Sequence, residues 1–213
     1  MAMPVKVLKK STTALLVIDM QKDFVAPGSP VCVDGGQAIV PSVIKAVDVA
    51  RQRGILVIWV VREHDPLGRD VELFRRHMYN SEKTGPVVKG SEGTELVDGL
   101  VITGDDYKVV KTRFSAFFST NLHSFLLDAG VKNLVVVGVQ TPNCIRQTVY
   151  DAVALDYQSV TVIVDATAAA TPEVHLGSKH ACLGLHSIKN SKDRILNLVF
   201  RWSDADRIGM RLL

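Results

Sequence analysis

Sulfur, aromatic rings and long apolar runs are all scarce in this chain. Of 213 residues only three are cysteine, Cys32, Cys144 and Cys182. Their spacing suits neither a disulfide framework nor a metal cluster, which fits a reducing compartment. No apolar stretch reaches the roughly 18 residues that a membrane helix requires. The opening MAMPVKVLKKSTTALLVID sets lysines before a short apolar run, but Asp19 interrupts that run before a signal-peptide core and cleavage site are complete. Aromatic residues make up 6%, and a net charge of +3 is spread over scattered basic residues, so no basic, ring-bearing stripe suggests nucleic acid. Internal repeats and low-complexity segments are lacking too. The expectation is a soluble cytoplasmic protein with a small-molecule partner, and with no nucleic-acid or membrane partner.

What is present is enough apolar material, 47% of the chain, to build one full core. It falls into a βαβ rhythm. Residues 14–18, 55–61, 107–110, 134–137 and 160–164 read as short, β-branched, buried strands. Between the first two, Ile39, Val40, Val43, Ile44, Val47 and Ala50 share one face of a helix over 37–53 that Gly54 stops. A second helix, 121–129, is capped by Ser119 or Thr120 and closed by Gly130. This alternation predicts a single doubly wound α/β domain, with a mainly parallel central sheet and helices on both faces. The charged, weakly periodic stretch 62–99 is expected to form loops and short helix over the site.

Three of these strands end in chemistry. TALLVIDMQKDF stops at Asp19, YKVVKTRFSAFFST at Lys111, and LVVVGVQTPNCIRQTVYDAVALDY leads through a polar turn to Cys144. The carboxyl ends of parallel strands are where open α/β sheets build their sites. Gly138 reads as the end of the 134–137 strand, Asn143 as an N-cap, and Cys144 as a residue of the first helical turn, where backbone N–H groups favour a thiolate. Taken alone, Cys144 reads equally well as a buried thiol packed as a small hydrophobe, and each ion as a solvated strand end. Their arrival at one edge favours the functional reading.

The segments ALLVIDMQKDF, VVKTRFSAF and GVQTPNCIRQTVYDA, in that order, resemble the isochorismatase-like cysteine hydrolases, a family that includes nicotinamidases, N-carbamoylsarcosine amidohydrolases and ureidoacrylate amidohydrolases. The resemblance spans about residues 13–173. It implies a catalytic triad of Asp19, Lys111 and Cys144, a cis peptide between Val139 and Gln140, and an oxyanion hole made by the backbone N–H groups of Gln140 and Cys144. It also implies a homo-oligomer. The function expected is cysteine-dependent hydrolysis of a small amide, ureido or carbamoyl compound through a thioester-level intermediate. The alternatives are nicotinamidase activity, isochorismatase activity, for which a thiol is unnecessary, and a catalytically silent binding protein.

Nicotinamidases carry an Asp-x-His pair after the second strand and a later histidine, which together hold a metal. Here Arg62, Glu63 and His64 stand at the pair, and a guanidinium has no lone pair for a cation. A shifted site built from Glu63, His64 and His77 is the less favoured option, and no metal or other cofactor is expected. Substrate-binding candidates are Phe24, Arg62, His64, Arg113 and Arg146, the arginines being suited to forked recognition of a carboxylate. Arg146 also reads as a surface partner for an acid. Phe24, Trp59 and Tyr79 can line a pocket or fill the core. The domain is expected over 13–174. The segment 175–213 departs from the family pattern, with 195–200 as a strand or helical turn and the usual last strand in question.

Overall fold

The computed structural model describes residues 11–80, 84–183 and 188–189. Six strands form one sheet: β1 (Thr13–Ile18), β2 (Leu56–Arg62), β3 (Tyr107–Lys111), β4 (Asn133–Val139), β5 (Ser159–Ala168) and the two-residue β6 (Ile188–Lys189). Their order is β3-β2-β1-β4-β5-β6, and every pairing is parallel. The chain therefore runs outward from β1 to β3, then restarts beside β1 at β4 and runs the other way. The gap between β1 and β4 is the topological switch point, where the carboxyl ends of the strands leave a crevice.

The strands read as continuous apolar runs because both faces are covered. In β1, Leu15 and Val17 join one core, while Ala14, Leu16 and Ile18 join the other. The first core is closed by α2 (Gly36–Gln52), which contributes Ile39, Val40, Val43, Ala46, Val47 and Ala50. The second is closed by α3 (Leu122–Asp128) and α4 (Arg146–Ala154) through Leu122, Leu126, Val149 and Ala152. The short α1 (Lys22–Val25) follows β1, and α5 (Pro172–Leu183) runs across the boundary expected after residue 174. Residues 62–99 contribute two 3-10 turns, Leu73–Met78 and Glu92–Thr94, and otherwise loop. Among the described residues, no helix is long and apolar enough to cross a membrane. The expectations for 195–200 and for 201–213 lie outside the described residues.

Two local expectations are corrected. Gly138 does not end β4, which continues to Val139. It instead takes φ 112 at a register shift between β4 and β5, where its backbone passes Ile18 of β1. Asn143 is not an N-cap either. Residues Thr141–Ile145 form a π turn entered from an extended Gln140, with the Ile145 N–H donating to the Gln140 carbonyl five residues back at 3.1 Å. α4 begins only at Arg146, so Cys144 sits in the wide turn before it. Single π turns of this kind are frequent at functional sites.

Candidate active site

Strand alternation decides which side chains meet. Side chains two apart share a face, so on β2 Arg62 continues the row of Ile58 and Val60, and on β3 Lys111 continues that of Val109, all in the core that contains Cys144. Arg62 and Lys111 are register partners on adjacent strands. Asp19 directly follows β1 with a left-handed backbone (φ 52), and its N–H bonds to the Val60 carbonyl at 2.9 Å. The Val139–Gln140 peptide is cis. After it the π turn carries Cys144 back over the ends of β1, β2 and β3.

Lys111 Nζ lies 2.8 Å from Asp19 Oδ2 and 3.4 Å from Cys144 Sγ, and donates to the Arg113 carbonyl at 3.1 Å. The side chains of Lys111 and Asp19 are 0% and 2% exposed, and Cys144 is 6% exposed. Asp19 Oδ1 is buried with no hydrogen-bond partner among the described residues. Burial, then the Asp19 charge, pushes the Cys144 thiol up against the opposing pull of Lys111 and Arg62. Burial thus favours the neutral thiol, with Asp19 beside it as a base. Desolvation of the enclosed sulfur opposes the cations that face it, so the thiol needs the base that Asp19 supplies.

Arg62 is 1% exposed. Its Nη2 donates to Cys144 Sγ at 3.7 Å, and its Nη1 to Glu72 at 3.2 and 3.4 Å and to His64 Nε2 at 3.5 Å. The Phe114 ring lies 5.5 Å from the guanidinium carbon. Its backbone is clamped by Gln21, which donates to the Arg62 carbonyl at 2.8 Å and accepts from its N–H at 2.7 Å. Because the guanidinium only donates, His64 Nε2 must accept, and Nδ1 then carries the proton that goes to Asp70 at 3.2 Å. Arg113, half-buried, donates to the carbonyls of Asp70 and Thr112.

Other candidates fall elsewhere. Phe24 and Trp59 pack into the core under α2, on the opposite face of the sheet from Cys144, because their strand and helix positions carry that parity. Trp59 donates from its indole to Asp106 at 2.9 Å. Tyr79 is buried, with its hydroxyl donating to the Pro86 carbonyl at 2.7 Å and its ring edge-on to His64. Arg146 and His77 are exposed and outside the buried cluster. Glu72, Asp70, Gln21 and Phe114 were missed. Of these Gln21 and Phe114 carried a sequence signal, as residues of the motifs that close β1 and β3.

The metal of the nicotinamidases does not fit these residues. A guanidinium fills the position of the carboxylate, and Glu63, on the other parity of β2, pairs with Lys108 at 2.6 Å. Among the described residues, no group of three His, Cys, Asp or Glu side chains is placed to hold an ion.

His64 also carries a pH prediction. Burial, followed by the Arg62 charge, overrides Asp70 and lowers its pKa from 6.5 to about 4. The unfolded chain binds a proton near pH 6.5 and the folded protein only near about 4, so stability is whole above the first value and is lost as pH falls toward the second. The loss should reach about 3 kcal/mol. Denaturant midpoints measured across this interval should fall more steeply for the wild type than for His64→Asn. Parallel curves would show that His64 is not held neutral.

A doubly wound α/β protein that gathers a thiol, two cations and an acid at its switch point is of the kind that works on small molecules in a crevice. Comparison identifies it further: an isochorismatase domain model matches residues 13–181, and the chain belongs to the isochorismatase family, whose character is that of hydrolases. It is 74% identical over 164 residues to a probable inactive nicotinamidase of Arabidopsis thaliana, covering 76% of this chain and 84% of that protein. The crystal structure of an isochorismatase family protein from Desulfovibrio vulgaris is 39% identical with TM-score 0.80, over 94% of this chain and 99% of the other. An N-carbamoylsarcosine amidase from Thermoplasma acidophilum is 26% identical with TM-score 0.72, over 87% and 99%.

Proposed function

We propose that the protein is a cysteine-dependent hydrolase of a small amide, ureido or carbamoyl compound. The observation that carries this is the buried triangle of Lys111 with Asp19 at 2.8 Å and Cys144 at 3.4 Å. Asp19 takes the thiol proton as Sγ adds to the substrate carbonyl carbon, and Lys111 keeps the acid in its charged form until then. The oxyanion is held by the backbone N–H groups of Gln140 and Cys144. Asp19 next gives the proton to the departing nitrogen, the C–N bond breaks, and a thioester or its carbamoyl equivalent remains on Cys144. Water, deprotonated by Asp19, attacks that carbonyl, the C–S bond breaks, and the thiol and an acid or carbamate are released.

The test is ammonia or amine release from a panel of small amides, ureido acids and carbamoyl amino acids, with Cys144→Ala as control. Release that depends on Cys144 is expected. No release from any member would favour the second reading, a catalytically silent protein, which draws support from the name of the Arabidopsis relative. Nicotinamidase activity is the weaker enzymatic alternative, because Arg62 replaces the carboxylate that a metal site needs.

A further inference from the structure

Three side chains face Cys144 Sγ from the ends of three strands: Asp19 from β1, Arg62 from β2 and Lys111 from β3. Only two belong to the proposed triad. The third, Arg62, was expected to grip a substrate carboxylate from an open fork, yet its donors are committed inward. One Nη1 is shared between Glu72 and His64, and Nη2 points at the sulfur. Nε is buried with no acceptor among the described residues, so local hydrogen bonding does not by itself explain why this cation is kept here.

We propose that Arg62 is a further catalytic residue, a second cation on the nucleophile that stabilises the Cys144 thiolate as its proton passes to Asp19, with Glu72 and His64 as positioning residues that aim it. This rests on the reading of Cys144 as nucleophile. The charges support it. A thiolate in this enclosed place has Asp19 as a repelling neighbour, and Lys111 already balances Asp19. Among the described residues the other cation in contact with sulfur is Arg62, and at such separation in a water-poor site a unit charge has a large effect. The influence is mutual: burial alone would lower the guanidinium's pKa, but a charged Cys144, followed by Asp19 and Glu72, raises it above its ordinary value, so the thiolate, once formed, and the guanidinium hold each other charged. His64 can serve as a neutral acceptor for Nη1 because it is held unprotonated at neutral pH. Arg62 thus works on the sulfur before any substrate arrives, and the substrate need carry no acid for it to act.

The experiment is the pH dependence of Cys144 alkylation by iodoacetamide in the full-length protein, read by peptide mass spectrometry at that residue. The midpoint carries the test, because access to a buried sulfur scales the whole curve without moving it. Arg62→Gln is expected to raise the midpoint by at least about one unit, equivalent to roughly tenfold less thiolate at a pH below it. Arg62→Lys should recover most of the shift, since charge rather than shape is at work. Glu72→Gln should move the midpoint down, as the guanidinium loses its competing anion, and so supplies a test of opposite sign if Arg62→Gln does not fold. A midpoint unmoved by both Gln variants would overturn the proposal. An Arg62→Gln midpoint that stays put while turnover falls would return Arg62 to the substrate. Absence of turnover in the wild type, with the midpoint shifts as expected, would count against the hydrolase reading and leave this one standing.

Discussion

Cys144→Ala is expected to lower hydrolysis of any substrate the panel reveals by between about 10⁴ and 10⁶-fold, the scale seen when a covalent nucleophile is removed. The fold should survive. The sulfur belongs to a core of buried side chains that also includes Ala116, Ile145 and Val149, and exchanging a neutral thiol for a methyl leaves no buried charge behind, so the change in stability should stay within about 1 kcal/mol. Asp19→Asn is a poorer test although it strikes the same chemistry. Lys111 is wholly enclosed, with Asp19 as its counter-charge, and breaking a buried pair by removing one partner costs about 3–5 kcal/mol. Lost activity in Asp19→Asn would therefore mix chemistry with unfolding. The measurement is turnover and the urea midpoint on the same preparations of Cys144→Ala. Turnover within about tenfold of the wild type would remove Cys144 from the mechanism.

The clean behaviour expected of one variant and not the other follows from features that the sequence exposes unequally. Strand runs, the helix over 36–52 and the delivery of Asp19, Lys111 and Cys144 to one edge are visible because each rests on local composition and period. Alternation on β2 was visible as well. Arg62 shares parity with Ile58 and Val60, which are buried toward Cys144, whereas Glu63 has the parity that meets Lys108, so a metal site shifted to Glu63 conflicts with the pleat itself. What stayed hidden depends on loops. Glu72 and Asp70 reach Arg62 and His64 from a segment without period, and nothing in their neighbours foretells it. The π turn was hidden for a different reason: Thr141, Pro142 and Asn143 form an ordinary-looking helix start, and the wide turn is set by the direction in which β4 delivers the chain. The burial of the thiol, which works against the two cations facing it, was hidden as well, because sequence gives burial only coarsely.

Gly138→Ala should be among the most damaging single substitutions in the described chain, and it shows how sheet packing sets the site. A Cβ at this position would lie 2.0 Å from the Ile18 carbonyl oxygen and 2.9 Å from that residue's carbonyl carbon and nitrogen. These are backbone atoms, so no rotamer change relieves the collision, and β1 and β4 must separate where Ile18 and Gly138 are register partners. The backbone also holds φ 112 there, which a residue with a Cβ adopts only with strain. Collision and strain together should cost about 4 kcal/mol or more, lowering Tm by roughly 10 °C or more for a domain of this size. Gly54→Ala separates the two causes, because Gly54 also has positive φ (63) but nothing within 4 Å of its Cβ position, and strain alone should cost about 1 kcal/mol. If Gly138→Ala melted with Gly54→Ala, close approach of the two strands would not be what Gly138 serves. If it melts far lower, the same contact fixes the spacing between the residue after Ile18, which is Asp19, and the turn after Val139, which holds Cys144, so that a glycine in a strand determines whether acid and thiol can meet.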